Sequence, residues 1–133
     1  MPRAYVELAD VLAHLPAAHV VFERRPRRYK FGALSYGEVP GWYNRADGDP
    51  WDVFAPGYRR PLPTGRPYRV AGVLGHLALE NGNHKIAVRL DVPGYDGRRA
   101  AREIARYAAA YTQGTGVAGT WQPRPTARLG VVQ

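Results

Sequence analysis

YRVAGVLGHLALENGNHKIAVRLDV, residues 68–92, carries the strongest hairpin signal in the chain. Tyr68 to Leu79 is a long run rich in apolar and β-branched residues. Glu80 to Asn83 (ENGN) places Asn-Gly at its centre, and His84 to Val92 resumes the apolar pattern. Asn and Gly tolerate the positive φ angles of a tight turn, so the two runs are predicted to pair as antiparallel strands. Upstream, Arg59 to Arg66 (RRPLPTGR) is loop by composition, Trp51 to Phe54 has strand character, and Asp47 to Pro50 is a turn. Aromatic residues between Tyr29 and Val39, spaced by Gly32 and Gly37, suit a bent or hairpin strand, and Val20, Val21 and Phe22 centre another over 18–24. Residues 4–15 carry apolar residues at helical spacings and stop at Pro16.

Downstream the period changes. Over 98–112, Ala101, Ile104, Ala105, Ala108 and Tyr111 fall on one helical face and Arg99, Arg102, Glu103 and Arg106 on the other. From Gly114 the chain is rich in Gly, Thr and Pro, and residues 114–133 are expected to be loosely ordered. Several short strands, a helix near each end and no β-α-β alternation predict an α+β, mainly β fold: an antiparallel, OB-like, five-stranded barrel with an N-terminal and a C-terminal helix. At 133 residues, 1–133 reads as a single domain.

The chain has no cysteine, which excludes a disulfide scaffold, a thiolate zinc site and a cysteine nucleophile. No apolar run reaches the roughly 18 residues of a membrane span, and the acids Glu7 and Asp10 stand where a signal peptide would be basic and then apolar. The expected setting is cytoplasmic. Nineteen Lys and Arg against eleven Asp and Glu give a net charge of +8, which attracts anionic partners and equally serves solubility.

Against that basic background, Asp47 to Val53 (DGDPWDV) packs three of the eleven acids into six residues. Asp47 and Asp49 lie two apart and share a side of an extended chain. Pro50 redirects the backbone so that Asp52 can converge from the next strand. Carboxylates gathered in this way suit a hard divalent cation, although an ordinary Asp-Gly turn has the same composition. An EF-hand is excluded, because its sixth position would be Asp52 instead of Gly and its twelfth Tyr58 instead of Glu.

The DxDPxD pattern resembles the signature of the soluble (family I) inorganic pyrophosphatases, and the resemblance runs from about residue 20 to 112. Tyr36, Gly37, Val39 and Pro40 precede it as in the family, Gly72, Val73 and Leu74 match a family strand, and Lys85 falls at the active-site lysine after the next hairpin. The resemblance implies Mg²⁺-dependent hydrolysis of inorganic pyrophosphate to two phosphates, with Mn²⁺ able to substitute. Asp47, Asp49, Asp52 and Glu23 would hold metal, and Asp49 would also orient the attacking water. Arg28, Tyr36, Lys85 and Tyr111 would bind phosphate oxygens. Ala78 and Asn83 stand where the family carries aspartates, which implies weaker Mg²⁺ binding and weakened activity. Homo-oligomers are implied by the resemblance alone.

Two alternatives remain open: a non-catalytic relative that binds a phosphate ligand or a partner, and an OB-type nucleic-acid binder using the arginines and aromatics of residues 24–31. The acidic turn opposes nucleic acid, since three carboxylates repel a phosphate backbone. His14, His19, His76 and His84 show no metal-ligand spacing, and Ser35, the sole serine, has no nucleophile-elbow setting.

Overall fold

The computed structural model describes residues 4–23 and 34–124. Helix α1 (Leu8–His14) leads into β1 (His19–Phe22); then follow β2 (Ser35–Tyr43), β3 (Pro50–Ala55), β4 (Tyr68–Leu79), β5 (Lys85–Leu90), helix α2 (Gly97–Thr115) and β6 (Gly119–Pro123). The strands lie in the order β1-β2-β3-β5-β4-β6, and β1 also pairs with β4, so the first five close into an OB-like barrel while β6 extends it along β4. The predicted fold class holds with one change. β3 and β5 run parallel, pairing Asp52 with Lys85, Val53 with Ile86 and Phe54 with Ala87, so the barrel is mixed instead of antiparallel throughout. The β4–β5 hairpin turns where ENGN places it, with Gly82 at φ 81°. Gly82 N–H closes that turn on the Leu79 carbonyl at 3.0 Å.

The expected loose tail is corrected in part. Residues 119–123 pair antiparallel with β4, Gly75 to Leu79 against Pro123 to Gly119. Gly and Thr are poor evidence against a strand when an open edge supplies all of its hydrogen-bond partners. Residues 125–133 lie outside the described part.

Strand alternation separates two apolar clusters. One holds Val20, Phe22, Val39, Val53, Val70, Ile86, Val88 and Leu90, with Val11, Leu12 and Leu15 of α1 packed on it. The other holds Tyr36, Phe54, Leu77, Leu79 and Ala87 beneath Tyr107 and Tyr111 of α2. Helix α2 starts on Asp96, whose carboxylate accepts the N–H groups of Arg98 and Arg99, and stops at Gly116 with φ 73°. Its buried residues are Ala100, Tyr107 and Tyr111, whereas Ala101 and Ala105 of the anticipated face are exposed. The helix is turned by Tyr107, whose ring lies 4.5 Å from that of Phe54 and 6.0 Å from that of Tyr36; burying this aromatic area outweighs burying two methyl groups.

Candidate functional site

The face that carries Tyr36 and Phe54 also carries the polar residues one step along each strand. Glu38 on β2 lies directly across from Asp52 on β3, and Asp52 lies across from Lys85 on β5, which itself lies across from Leu77 on β4. Period-two alternation therefore lines up two carboxylates and an ammonium in one row of the sheet. α2 covers the neighbouring row and ends there, leaving the charged row at the floor of a cavity of about 380 Å³. Tyr36, Tyr111 and Asn83 complete its walls, and Asp47 and Asp49 stand exposed at its mouth.

Lys85 is 2 % exposed, and its Nζ donates to Asp52 Oδ2 at 2.6 Å. The same ammonium lies 5.4 Å from the centroid of the Tyr111 ring, where the negative face of the ring favours a cation. A charge this deep is tolerable only when paired, and the pair fixes both groups on the cavity floor.

The acidic turn is held by its own hydrogen bonds. Asp47 Oδ1 accepts the N–H of Asp49 at 2.9 Å, and Gly48 N–H reaches the Asn44 carbonyl at 2.8 Å. Asn44, 5 % exposed, ties the turn to the β4–β5 hairpin: its Nδ2 donates to Gly82 O at 3.0 Å and its Oδ1 accepts from Ala46 N at 2.9 Å. The hairpin is clipped a second time where Leu79 N–H donates to His84 Nδ1 at 2.9 Å. Trp51 stacks on the His84 ring with centroids 6.3 Å apart, and His76 meets it edge-on at 5.8 Å. Burial holds the affinity of both imidazoles for protons below the ordinary range. The mutual charge and Arg124 add to this at His76, and Lys85 adds to it at His84.

Of the residues singled out in the sequence, Asp47, Asp49, Asp52, Tyr36, Lys85 and Tyr111 meet in this cavity, and Asn83 lines it as well. Glu23 follows β1, gives its N–H to the Tyr36 carbonyl at 2.8 Å, and is not part of the cavity wall. Arg28 lies outside the described residues. Ala78 faces β6 through Thr120, and Glu80, exposed, bonds through its N–H to Ala118 O, so neither reaches the cavity wall. Glu38 and Asn44 were missed. Glu38 was legible as the residue two beyond Tyr36 on the same strand face; nothing local marked Asn44, because its partner is 38 residues away.

The donor set around the cavity is all oxygen, without histidine or thiolate, which suits Mg²⁺ or Mn²⁺ better than zinc. Among the described residues no three His, Asp or Glu side chains gather closely enough to cage a metal ion by themselves. Mg²⁺ does not require that, since it is commonly held by one or two carboxylates, waters and substrate phosphate oxygens.

Fold and site thus define an OB-like barrel with a carboxylate-lined cavity floored by a buried Lys–Asp pair. No protein-family model matches the chain, and no curated protein matches it. Among solved structures it is similar to a crystal structure of the inorganic pyrophosphatase from Thermus thermophilus, with 22% sequence identity, a TM-score of 0.46, and 82% of this chain and 83% of that chain covered. At that level of likeness neither a residue's role nor an activity carries across. No helix among the described residues is long and apolar enough to cross a membrane.

Proposed function

We propose that the cavity binds pyrophosphate or a similarly small phosphate compound together with Mg²⁺ and hydrolyses the phosphoanhydride. The supporting observation is the meeting of six residues singled out in the sequence, Asp47, Asp49, Asp52, Tyr36, Lys85 and Tyr111, around one polar cavity of about 380 Å³. Bound Mg²⁺ supplies charge neutralisation for the phosphoryl oxygens and lowers the pKa of water. Asp47 and Asp49 hold it at the mouth, where their exposure leaves room for its waters. Lys85 and the Tyr36 and Tyr111 hydroxyls orient phosphate oxygens at the floor. Asp49 accepts a proton from the attacking water. That water's oxygen bonds to one phosphorus as the bridging oxygen departs with the other phosphate. Phosphoryl transfer needs positioning and charge more than covalent chemistry, so this inventory is sufficient in kind. Homo-oligomeric assembly and a cytoplasmic setting remain part of the same proposal.

One observation favours a second reading. Asp52 is already committed to Lys85 at 2.6 Å, so its charge is balanced by the ammonium and adds little to holding Mg²⁺. The cavity then serves as a receptor for the phosphate ligand without turnover.

Phosphate release from pyrophosphate, with and without Mg²⁺, separates the two. The hydrolase reading expects Mg²⁺-dependent release, lost in Asp49→Asn, and a higher Tm with Mg²⁺, worth about 2.7 kcal/mol at a hundred times Kd. A pyrophosphate-induced rise in Tm without release supports the receptor. Neither release nor a thermal shift overturns both.

A further inference from the structure

A second concave region lies on the outer surface of β4 and shares no lining residue with the acidic cavity. Two hollows of about 370 and 430 Å³ both have Leu74 and Tyr95 in their walls, so they join into one trough. Its physical origin is local. Gly72 leaves the floor bare, and a Cβ built there would meet no heavy atom within 4 Å. On one side the small side chains of Ala101, Ala105 and Ala108 leave a slot between α2 and Trp121 unfilled. On the other side stand Leu12, Ala13 and Pro16 at the end of α1.

The charge is confined to one end. Arg89 is the cross-strand partner of Gly72 on β5, and Arg124 follows β6; both line the hollow above Gly72. The Arg89 guanidinium lies 5.8 Å from the Tyr95 ring centroid, and Arg124 Nη2 donates to Leu12 O at 3.3 Å. Among the described residues neither guanidinium is ion-paired with a carboxylate, and no acid lines either hollow. An apolar slot of this size, ending between two arginines, has the make-up of a small-molecule site: greasy walls with a few polar groups that fix one end of the ligand.

We propose that the trough binds a free anionic amphiphile, a monomeric alkyl or aryl carboxylate, with its head between Arg89 and Arg124 and its apolar body over Leu74 towards Trp121. Charge complementarity selects this occupant. A second copy of the chain would bring a further +8 to a surface that already carries two uncompensated arginines, and a neutral apolar ligand would leave both guanidinia unused.

The test uses the full chain with decanoate and decanol, each below its aggregation limit, followed by Trp fluorescence and checked by calorimetry. Decanoate is expected to bind at least tenfold more tightly than decanol, and the fluorescence response should vanish in Trp121→Phe while the heat of binding persists. Arg89→Gln with Arg124→Gln should weaken decanoate at least tenfold and leave decanol unchanged; Gly72→Leu should block both. Circular dichroism of each variant confirms that the fold survives. Equal affinity for the two ligands, an arginine variant that binds decanoate as before, or no binding up to the solubility limit overturns the proposal. So does decanoate-independent sedimentation with phosphatidylglycerol vesicles, which indicates a membrane surface, or a dimer abolished by Gly72→Leu, which indicates a second copy.

Discussion

The acidic cavity is about the size of each of the two hollows that make up the outer trough, yet cavity and trough are built by opposite means. The cavity is assembled from side chains: Glu38, Asp52 and Lys85 occupy one row across three strands, and Asn44 fastens the acidic turn to the hairpin beside them. The trough is made by missing side chains, a glycine in the floor and alanines along the facing helix. Removing one atom group from the first leaves a charge or a hydrogen bond without its partner, which is expensive in a buried setting. Adding a group to the second fills space that already exists. The two regions therefore differ in how much of the fold's stability passes through them.

The largest effect belongs to the charge pair. Asp52→Ala strands the Lys85 ammonium, whose side chain is 3% exposed, and is expected to cost about 3–5 kcal/mol in chemical denaturation. Replacing both partners, Asp52→Leu with Lys85→Met, should recover most of that loss, because an apolar pair of similar volume is often neutral. A double variant as unstable as the single one would show that the row is held by geometry and not by charge compensation.

Next comes the fastening of the turn. Asn44→Ala leaves Gly82 O and Ala46 N without their side-chain partners and should cost about 1–3 kcal/mol. Hydrogen exchange should speed up at the turn of residues 45–49 and at the 80–83 hairpin together. Faster exchange at only one of them would mean that Asn44 does not couple the two.

The hairpin's second clip gives a pH dependence. Because His84 Nδ1 accepts the Leu79 N–H, a proton added there displaces that bond, and burial already disfavours the charged form of both His84 and His76. Each folded-state pKa is depressed from the ordinary 6.5, so the unfolded chain binds more protons in the window just below that value. Stability is complete above pH 6.5 and falls as the pH drops through the folded-state values. His84→Asn offers an acceptor that does not titrate and should flatten part of the fall in a series of melting curves; an unchanged slope would assign the effect elsewhere.

The smallest effect is expected at the trough. Gly72→Ala adds a methyl group into open space and should stay within about 0.5 kcal/mol of the parent. A loss as large as that of Asn44→Ala would show that the trough floor is as constrained as the cavity.

Much of this architecture was legible in the sequence. Tyr68 to Leu79, the ENGN turn and the return strand are specified locally, by β-forming residues around a dipeptide that accepts positive φ, and the structure follows them closely. The acidic turn, Lys85, Tyr36 and Tyr111 stand out in the sequence as chemistry-bearing residues, by pattern and by resemblance. Strand period also determined which of their neighbours share a face, which would have included Glu38.

Tertiary structure alone decided the rest, and the reason is the same in each case. The parallel pairing of β3 with β5 brings Asp52 against Lys85, and no short-range signal encodes which of two distant strands will be neighbours. The residues after Gly114 become β6 because β4 has an open edge, a property of the assembled sheet and not of Gly119 or Thr120. The orientation of α2 follows from the place that Phe54 and Tyr36 leave for Tyr107, so the helical period established an amphipathic helix but not which flank would stay exposed. Local sequence determines what each segment can become and which side chains it carries. Contacts between segments far apart in the chain choose among those options, since the hydrogen bonds and apolar area that settle the choice exist only once the barrel has closed.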